Sequence, residues 1–335
     1  MALIDVEHLR KSFSIAIRQE GRLAALRSLV RRTYREVVAV DDVSFAVEAG
    51  EMVGYLGPNG AGKSTTMKML TGILVPSGGR ILVDGRDPHR QRTEHVRRIG
   101  VVFGQRTQLW WDLPTIESFE LLRHIYQIPY ERWRSNLTRF CDLLELQPFL
   151  ATPVRQLSLG QRMRADLAAA LLHDPAILFL DEPTIGLDVV ARERIRAFLT
   201  QINREHGVTV ILTTHDLGDI ERLCQRVVLI DHGCVIYDGA LAALRERYGR
   251  ERALVVDLDP GGMHRPLDGL RQLAGVVALE QEGVRLRLVF DRHETTAAKV
   301  IAAVAEQTLV RDLTVEEPPI EGIVRAIYEA PRAGL

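Results

Sequence analysis

The fold of this chain is decided by one stretch, Gly57-Pro58-Asn59-Gly60-Ala61-Gly62-Lys63-Ser64. Its glycines, lysine and serine have the spacing of a phosphate-binding loop (P-loop). A strand-like run, residues 51–56, precedes the loop, and a helix-like run, residues 65–70, follows it. Glycines allow successive backbone N–H groups to turn around an anion, and the helix presents its positive amino end to the same phosphates. The context therefore predicts a nucleotide phosphate site rather than a chance glycine-rich turn.

Two side chains of the loop have roles that follow from their types and positions. The Lys63 ammonium group would reach the β- and γ-phosphates of a nucleotide, and the Ser64 hydroxyl would be a ligand of Mg²⁺. The predicted nucleotide-binding set contains all eight residues of the loop and Thr65, which follows them.

Composition and charge narrow the class of protein. The chain has 335 residues, of which 46% are hydrophobic, so it can bury a substantial core in one large or two modest domains. A net charge of −1 gives no electrostatic reason to expect nucleic acid or bulk attraction to acidic lipid. No apolar run approaches the ~18 residues that span a bilayer, and the first residues lack the apolar core of a signal peptide. We expect a cytosolic protein with reduced cysteines, which another chain would hold at any membrane.

The apolar pattern predicts an α/β fold, in which a P-loop NTPase core with a mostly parallel sheet carries antiparallel β and helical subdomains. Residues 176–180 and 208–212 are apolar runs typical of buried parallel strands, and a helical pattern, residues 189–206, separates them. Residues 116–150 are helix-patterned, which indicates an inserted subdomain. Further strands are predicted at 2–9, 43–47, 80–84, 99–103, 226–230 and 234–237, and helices at 162–172 and 216–224.

A change of pattern near residue 245 predicts a domain boundary. The first domain would span residues 1–245, with its helical subdomain at about 106–172. Residues 246–335 would form a small α+β domain, long enough to fold alone. Its predicted strands are 253–258, 284–290 and 309–315, and its predicted helices are 294–306 and 320–328.

A second chemical motif follows the apolar strand that begins near residue 177. The strand ends in two carboxylates, Asp181 and Glu182. In P-loop proteins such a strand lies beside the P-loop strand, so that the first carboxylate is near Mg²⁺ and the second polarises an attacking water. The alternative, a buried strand with a polar end, is weakened by the P-loop upstream.

Three further segments are ambiguous when each is taken alone. The segment 157–161 opens a helix and could bind an anion, or Ser158 could simply cap that helix. His215 follows a strand and could be structural, and Gln105 ends a strand and could be a surface amide.

Together these segments exceed chance, because they occur in a characteristic order. The order is the P-loop, Gln105, residues 157–161, the carboxylate pair, residues 186–188 and His215. In this respect the sequence resembles the ATP-binding-cassette (ABC) ATPases, the nucleotide-binding subunits of ABC transporters, over residues 2 to about 245. The resemblance implies that the chain binds ATP with Mg²⁺ and hydrolyses it, and that two protomers sandwich two ATP molecules head to tail.

The resemblance also implies roles in catalysis. Glu182 corresponds to the general base, and Asp181 to the carboxylate near Mg²⁺. His215 corresponds to the residue that clamps the γ-phosphate, and Gln105 to the residue that senses Mg²⁺ and the attacking water.

Other residues are implied to act across the dimer. The signature segment of the family corresponds to residues 158–161, of which Ser158, Gly160 and Gln161 would contact the γ-phosphate held by the other protomer. Asp188 belongs to the loop that links the two sites in the family.

One departure from the family pattern indicates a subgroup. The signature usually has glycine where this chain has Leu159, but the backbone donors of Ser158 and Gly160 remain, so phosphate contact should survive. The leucine, residues 184–188 and the C-terminal domain are similar to ATPases that drive two-part exporters of the ABC-2 type, in particular drug, viologen and sodium exporters.

Phe13 is the candidate for contact with the adenine base. In the family an early aromatic residue usually stacks on adenine, and Phe13 occupies that place. A core phenylalanine is the alternative.

The segment 14–37 is an insertion relative to most members of the family. It contains several arginines, and Leu23, Leu26, Leu29, Val30 and Tyr34 fall near one helical face. The predicted basic amphipathic helix would lie on an acidic membrane surface or pack on the edge of its own domain.

Two adjacent tryptophans, Trp110 and Trp111, lead into the helical subdomain. Neighbouring side chains diverge, so both cannot easily face one core. In ABC subunits this region receives a helix of the permease, and we predict that at least one tryptophan is an interface anchor. The alternative is that both are buried.

These observations lead to one functional interpretation. The chain is expected to be the ATPase subunit of an exporter, to dimerise on ATP as a homodimer, and to drive a separate ABC-2 type permease. It would lie peripherally on the cytoplasmic face of the inner membrane, held by the permease, and would not bind nucleic acid. The alternatives are a soluble ABC ATPase that acts on the ribosome or nucleic acid, and a regulatory role of the C-terminal domain. The transported substrate, and whether a paralogue replaces the second copy, stay open.

Overall fold

The computed structural model of the protein describes residues 2–16, 34–104, 106–214, 216–259, 268–318 and 320–329. The chain divides into two compact units, residues 1–239 and 240–335. None of the helices among these residues is long and apolar enough to cross a membrane.

The described part of the first unit contains nine strands and seven α-helices. Its strands are β1 (Ile4–Ala16), β2 (Tyr34–Val47), β3 (Met52–Leu56), β4 (Gly78–Val83), β5 (Ile99–Phe103), β6 (Ile177–Asp181), β7 (Thr209–Thr213), β8 (Arg226–Asp231) and β9 (Cys234–Ala240). Its helices are α1 (Lys63–Leu70), α2 (Arg92–Val96), α3 (Thr115–Ile125), α4 (Tyr130–Leu144), α5 (Leu159–Leu171), α6 (Val189–His206) and α7 (Leu217–Leu223).

The apolar strands of the first unit form one six-stranded sheet with the order β5-β6-β7-β3-β8-β9. β3 is parallel to β7 and β8, and β6 is parallel to β5 and β7. Strands 177–180 and 209–213 are completely buried, as expected for parallel strands covered on both faces. β7 lies between β3 and β6, so the prediction that the carboxylate strand lies directly beside the P-loop strand is wrong. Because β3, β6 and β7 are parallel, the segments that follow them still meet at the same edge of the sheet.

The antiparallel sheet has the order β2-β1-β4, and it corrects the prediction for the insertion. β1 continues to Ala16 and β2 begins at Tyr34, where the two residues are directly paired. The ends of the predicted helix, residues 14–16 and 34–37, are therefore strands, because cross-strand hydrogen bonds satisfy their backbone. Residues 17–33, with the remaining face of that helix, lie outside the described residues.

Helices α3, α4 and α5 form the helical block predicted between residues 106 and 172. Proline residues set its breaks: Pro129 is the N-cap of α4, and Pro148 lies in a short 3₁₀ turn, Gln147–Phe149. The predicted helix 162–172 begins earlier, at Leu159, because Ser158 and Gln161 form a reciprocal capping box. Helix α2 was not predicted.

The second unit is a four-stranded antiparallel sheet with flanking helices. Its elements are α8 (Leu241–Tyr248), β10 (Glu251–Leu258), α9 (Asp268–Arg271), β11 (Val276–Glu282), β12 (Arg285–Asp291), α10 (Ala297–Gln307), β13 (Val310–Glu316) and α11 (Ile320–Glu329). The strand order is β11-β12-β10-β13. Leu254, Leu288 and Phe290 from the sheet and Val300 and Val304 from α10 belong to one buried core.

The boundary between the units precedes the predicted one. A boundary at residue 245 would cut α8, but that helix packs as a whole against α11 within the second unit. β11 was missed by the sequence analysis because it is an edge strand. A bulge between Val276 and Ala278 and its mostly exposed side chains remove the regular alternation that marks a strand.

Candidate functional site

The P-loop has the backbone that its glycines predict. Gly62, the N-cap of α1, has a φ of 104°, in the left-handed region that favours glycine. A Cβ at Gly62 would lie 2.4 Å from the carbonyl oxygen of Ala39, so no larger residue fits without movement. The strand β2 therefore packs directly on the loop, and the amino end of α1 is open to an anion.

Lys63 lies within the loop rather than in solvent. Its side chain is buried, and Nζ donates hydrogen bonds to the carbonyl oxygens of Gly57 at 2.7 Å and Pro58 at 3.0 Å. Burial lowers the pKa of Lys63, while the charges of Glu182 and Asp181 oppose that shift. The ammonium group thus belongs to the same electrostatic site as both carboxylates.

The two carboxylates lie where β6 ends. Asp181 Oδ1 accepts a hydrogen bond of 2.5 Å from the hydroxyl of Thr213, the last residue of the neighbouring strand β7. The backbone N–H of Glu182 donates to the Thr213 carbonyl oxygen at 2.9 Å. The φ of Glu182 is 57°, a left-handed conformation that is uncommon for residues other than glycine.

A cavity of about 390 Å³ joins the P-loop helix to the carboxylates. Its lining residues are Ser64, Lys68, Ile73, Phe103, Gly104, Arg106, Asp181 and Glu182. The structure thus brings Ser64 together with the carboxylate pair Asp181 and Glu182, more than a hundred residues further along the chain. These three residues were predicted to form one site.

Gly104 was not singled out from the sequence, although the site depends on it. Its N–H donates to the Asp181 carbonyl oxygen at 2.7 Å, and a Cβ at this position would lie 2.2 Å from the carbonyl oxygen of Glu182. Only glycine therefore allows the end of β5 to approach the carboxylate turn so closely. A glycine directly before Gln105 at a strand end was the available signal.

The signature segment forms the first turn of α5. Ser158 Oγ accepts from the Gln161 N–H at 3.2 Å, and the Gln161 side chain accepts from the Ser158 N–H at 2.9 Å. Ser158 is exposed, and Gly160 lies against the side chain of Ala191. The capping role considered for Ser158 is present, and it leaves the signature turn at the surface.

Leu159 contacts its own chain. One of its methyl groups lies 3.1 Å from where a Cβ of Gly186 would be, so the side chain packs on the turn that follows the carboxylates. Asp188 ends this turn as the N-cap of α6, and its Oδ1 accepts from the Ala191 N–H at 2.8 Å. The segments predicted to act across a dimer are therefore neighbours on one surface.

Phe13 is 36% exposed, so the alternative of a core phenylalanine is wrong. It is paired with Val37 on β2, two residues before the Ala39 carbonyl that touches the P-loop. The Lys11 ammonium group lies 5.2 Å from the centre of its ring. The ring therefore belongs to the hairpin that packs on the phosphate-binding loop.

Trp110 and Trp111 are 39% and 50% exposed, so the alternative that both are buried is also wrong. The guanidinium group of Arg162 lies 5.6 Å from the Trp111 ring. Arg162 is in the first turns of α5, the helix that the signature segment opens. Trp111 therefore contacts the same end of α5 that carries the signature segment.

Two predicted site residues, Gln105 and His215, lie outside the described residues. Their neighbours are in place: Gly104 contacts the carboxylate turn, and the Asp216 N–H donates to the Thr214 hydroxyl at 3.0 Å. The buried Thr184 and Asp219 support this region, a role that the sequence pattern does not indicate for either residue.

Comparisons with known proteins identify the family of this chain. The "ABC transporter" family description matches residues 40–185. The chain is 38% identical over 210 residues to the ABC transporter ATP-binding protein NatA of Bacillus subtilis, covering 63% of this chain and 85% of NatA. It is 35% identical over 273 residues to the Nod factor export ATP-binding protein I of Burkholderia orbicola, covering 77% of this chain and 88% of that protein.

A solved structure of a dimeric ATP-binding cassette with ADP and phosphate in a post-hydrolysis state is similar to this chain. The TM-score is 0.59 at 27% identity, and the similarity covers 71% of this chain and 98% of the cassette. This chain matches most of the length of both relatives and of the cassette. The chain therefore belongs to the family of ABC transporter ATP-binding subunits, and it is an ATPase.

Proposed function

We propose that this ATPase powers export through a separate membrane permease of the ABC-2 type. The chain's relative in Burkholderia is named for export, and residues 184–188, Leu159 and the C-terminal unit are similar to the ABC-2 subgroup. The names of the two relatives refer to an ABC transporter and to export, and neither favours the alternative of an ATPase acting on ribosomes or nucleic acid. The subunit would lie on the cytoplasmic face of the cell membrane, where the permease holds it.

The observation that carries the catalytic part of the proposal is the shared site of the P-loop and the carboxylates. Ser64, Asp181 and Glu182 line one cavity, and Lys63 lies in the field of both carboxylates. This arrangement fits a nucleotide phosphate with its metal, since hydroxyl and carboxylate oxygens are the ligands that Mg²⁺ prefers. No group of three histidine, cysteine or acidic side chains among the described residues could hold a metal by itself.

The mechanism follows from what these residues can do. Ser64 and Asp181 would hold Mg²⁺, whose positive charge would offset the charge that develops during phosphoryl transfer. Lys63 and the N–H groups of the P-loop would hold the phosphates in place. Glu182 would orient a water and accept its proton, as a general base does.

The second site component would come from another copy of this chain. Ser158, Gly160, Gln161 and Asp188 lie near one another and are exposed or half-exposed, as residues that reach a partner must be.

Gln105 and His215 keep their predicted roles as Mg²⁺ and γ-phosphate contacts. Phe13, exposed on the hairpin beside the P-loop, would stack on adenine. The first unit, residues 1–239, would form the ATPase domain, and the second unit, residues 240–335, an accessory domain.

The substitution Glu182→Gln tests the catalytic proposal. It removes the base and preserves the shape, so turnover should fall by at least about 100-fold, in the range of lost general-base catalysis. ATP should still bind, and the ATP-bound dimer should persist. Phosphate release, calorimetric ATP binding and light scattering after gel filtration would measure the three quantities. Glu205→Gln, an exposed glutamate on α6, is the matched control. Wild-type turnover in Glu182→Gln would overturn the assignment of the base.

Affinity purification of the chain from detergent-solubilised native membranes tests the partner. A stoichiometric permease with about six membrane spans, identified by mass spectrometry, is the expected result. Recovery of the chain with ribosomal or nucleic-acid partners alone would contradict the transport proposal.

A further inference from the structure

A buried carboxylate lies beside the turn that carries the proposed general base. Asp219, on α7, has no exposed surface. Its Oδ2 accepts a hydrogen bond of 2.5 Å from the Thr184 hydroxyl and lies 3.5 Å from the Thr214 hydroxyl. Its Oδ1 accepts from Arg196 Nε at 2.6 Å. One side chain therefore joins the loop after β6, the segment after β7 and the helix α6.

The turn at Glu182 depends on its neighbours because its backbone is in an uncommon conformation. A left-handed φ, 57° for Glu182, persists at a residue other than glycine only where the surroundings determine it. The hydrogen bond from the Glu182 N–H to the Thr213 carbonyl holds one side of the turn. Thr184, two residues further along, is buried and holds the other side through Asp219.

Asp219 is itself held in place by the packing of α7 on α6. Arg192 and Arg196, one turn apart on α6, pair with Asp216 and Asp219. Asp216 also caps α7, since its Oδ1 accepts from the Gly218 N–H at 3.0 Å. Two ion pairs thus hold α7 against α6, so that Asp219 is a rigid acceptor for Thr184.

We propose that the hydrogen bond from Thr184 to Asp219 fixes the turn of Glu182 in the orientation that water activation requires. Both are positioning residues, because they act through the turn and not on the reacting atoms. The inference rests on the proposed function of Glu182. It adds the reason why a carboxylate at this turn can be held within the small tolerance that catalysis demands.

The matched variants Thr184→Val and Thr184→Ser test the proposal. Valine preserves the shape and removes the hydroxyl, whereas serine retains it. We expect kcat to fall about 10- to 100-fold in Thr184→Val, the size of effect that a small misplacement produces. KM for ATP should stay within about twofold, because the P-loop is intact, and Thr184→Ser should restore kcat. Thr200→Val, an exposed threonine on α6, is the control.

Rates must be expressed per nucleotide-binding site, titrated with a fluorescent ATP analogue, so that misfolded protein does not count as a lower kcat. A wild-type kcat per site in Thr184→Val would overturn the proposal. So would a loss of activity that follows only the number of binding sites.

A double-mutant cycle separates this inference from the function on which it rests. If Thr184 acts through Glu182, adding Thr184→Val to Glu182→Gln should not lower the residual hydrolysis further. If Thr184→Val lowers the hydrolysis rate by the same factor in Glu182→Gln as in wild type, Thr184 acts independently of Glu182. The positioning proposal would then fail, while the assignment of Glu182 as the base would stand. Full turnover in Glu182→Gln would instead refute the base assignment.

Discussion

Two buried aspartates support two loops at the edge of the sheet where Asp181 and Glu182 lie. The hydrogen-bond partners of these two aspartates differ in charge. Asp166 on α5 accepts hydrogen bonds from the Thr107 hydroxyl at 2.8 Å and the Gln108 N–H at 3.0 Å, both neutral groups. Asp219 on α7 is paired with the guanidinium group of Arg196. The two carboxylates are 4% and 0% exposed, so burial alone does not distinguish them.

The difference shows how a partner's charge decides what a buried carboxylate costs. Burial raises the pKa of Asp166 to about 6, although the hydrogen bonds from Thr107 and Gln108 and the charge of Arg162 act in the opposite direction. At Arg196, burial would lower the pKa of the guanidinium group, but the hydrogen bond and charge of Asp219 outweigh it and the pKa is raised. The loop before Trp110 is thus tied by a group that titrates near neutral pH, and the segment after β7 by an ion pair.

Removal of the cation should have the largest effect on stability. Arg196→Met preserves much of the apolar stem and leaves Asp219 buried without its counter-charge, which should lower the free energy of unfolding by roughly 3–5 kcal/mol. Urea unfolding followed by tryptophan fluorescence measures this in the full chain, because Trp110, Trp111 and Trp133 are the three tryptophans and all lie in the first unit.

Arg194→Met is the matched control for this measurement. Arg194 is on the same helix and pairs with Glu145 at 2.9 Å, but the glutamate side chain is 58% exposed. Such a pair contributes about 1 kcal/mol or less. If Arg196→Met is no more destabilising than Arg194→Met, the contrast between a compensated buried carboxylate and a surface pair is wrong.

The pH dependence of stability should isolate Asp166. Because its folded pKa, about 6, is above the usual 3.8, the folded state binds the proton more tightly than the unfolded state. The stability that the protonated group contributes is fully present below pH 3.8 and is lost as the pH rises through about 6. Asp166→Asn cannot ionise and retains an acceptor oxygen. The free energy of unfolding of wild type relative to Asp166→Asn should therefore fall by about 2 kcal/mol between pH 4 and pH 7.

This measurement compares two proteins at each pH, so other titrating groups cancel. His173, for example, is half-buried, and desolvation lowers its pKa to about 4, so that it acts in the opposite direction in both proteins. Asp112→Asn, at a side chain that is 75% exposed, provides the control. A difference between wild type and Asp166→Asn that is independent of pH would mean that Asp166 is not the buried, titrating group described here.

The parts of this molecule that the sequence predicted are those whose geometry is fixed locally. A glycine-rich loop between a strand and a helix, followed by an apolar strand that ends in two carboxylates, weakens the alternative interpretation of each motif. The P-loop, Asp181 and Glu182 could therefore be predicted as one site from the sequence. The α/β core with its parallel sheet and helical block was predicted for the same reason. The family match and the similarity to a solved cassette confirm the predicted α/β core.

The parts that were missed depend on contacts that spacing does not encode. Asp166 and Asp219 look like polar positions on amphipathic helices, and only the fold reveals that their partners lie 58 and 35 residues away. Residues 14–16 and 34–37 were included in the predicted helix because of the apolar face from Leu23 to Tyr34, most of which lies outside the described residues. At the two ends, cross-strand pairing outweighs that preference. Edge strand β11 lost its pattern to exposure and a bulge.

The smallest effect on stability, and the clearest functional separation of the two loops, is expected at Trp111. The loop that Asp166 holds continues to Trp110 and Trp111, which are exposed, whereas the turn that Asp219 holds serves the chemistry of its own chain. Trp111→Ala removes a half-exposed ring and its contact with Arg162, so the free energy of unfolding should change by about 1 kcal/mol or less. Copurification of the permease and its effect on ATPase activity should nevertheless be lost, because exposed aromatic residues are common anchors of interfaces. Tyr130→Ala, at an exposed aromatic residue of the same helical block, is the control. Retention of the permease by Trp111→Ala, or an equal loss in Tyr130→Ala, would mean that the loop held by Asp166 does not provide a specific contact with a partner.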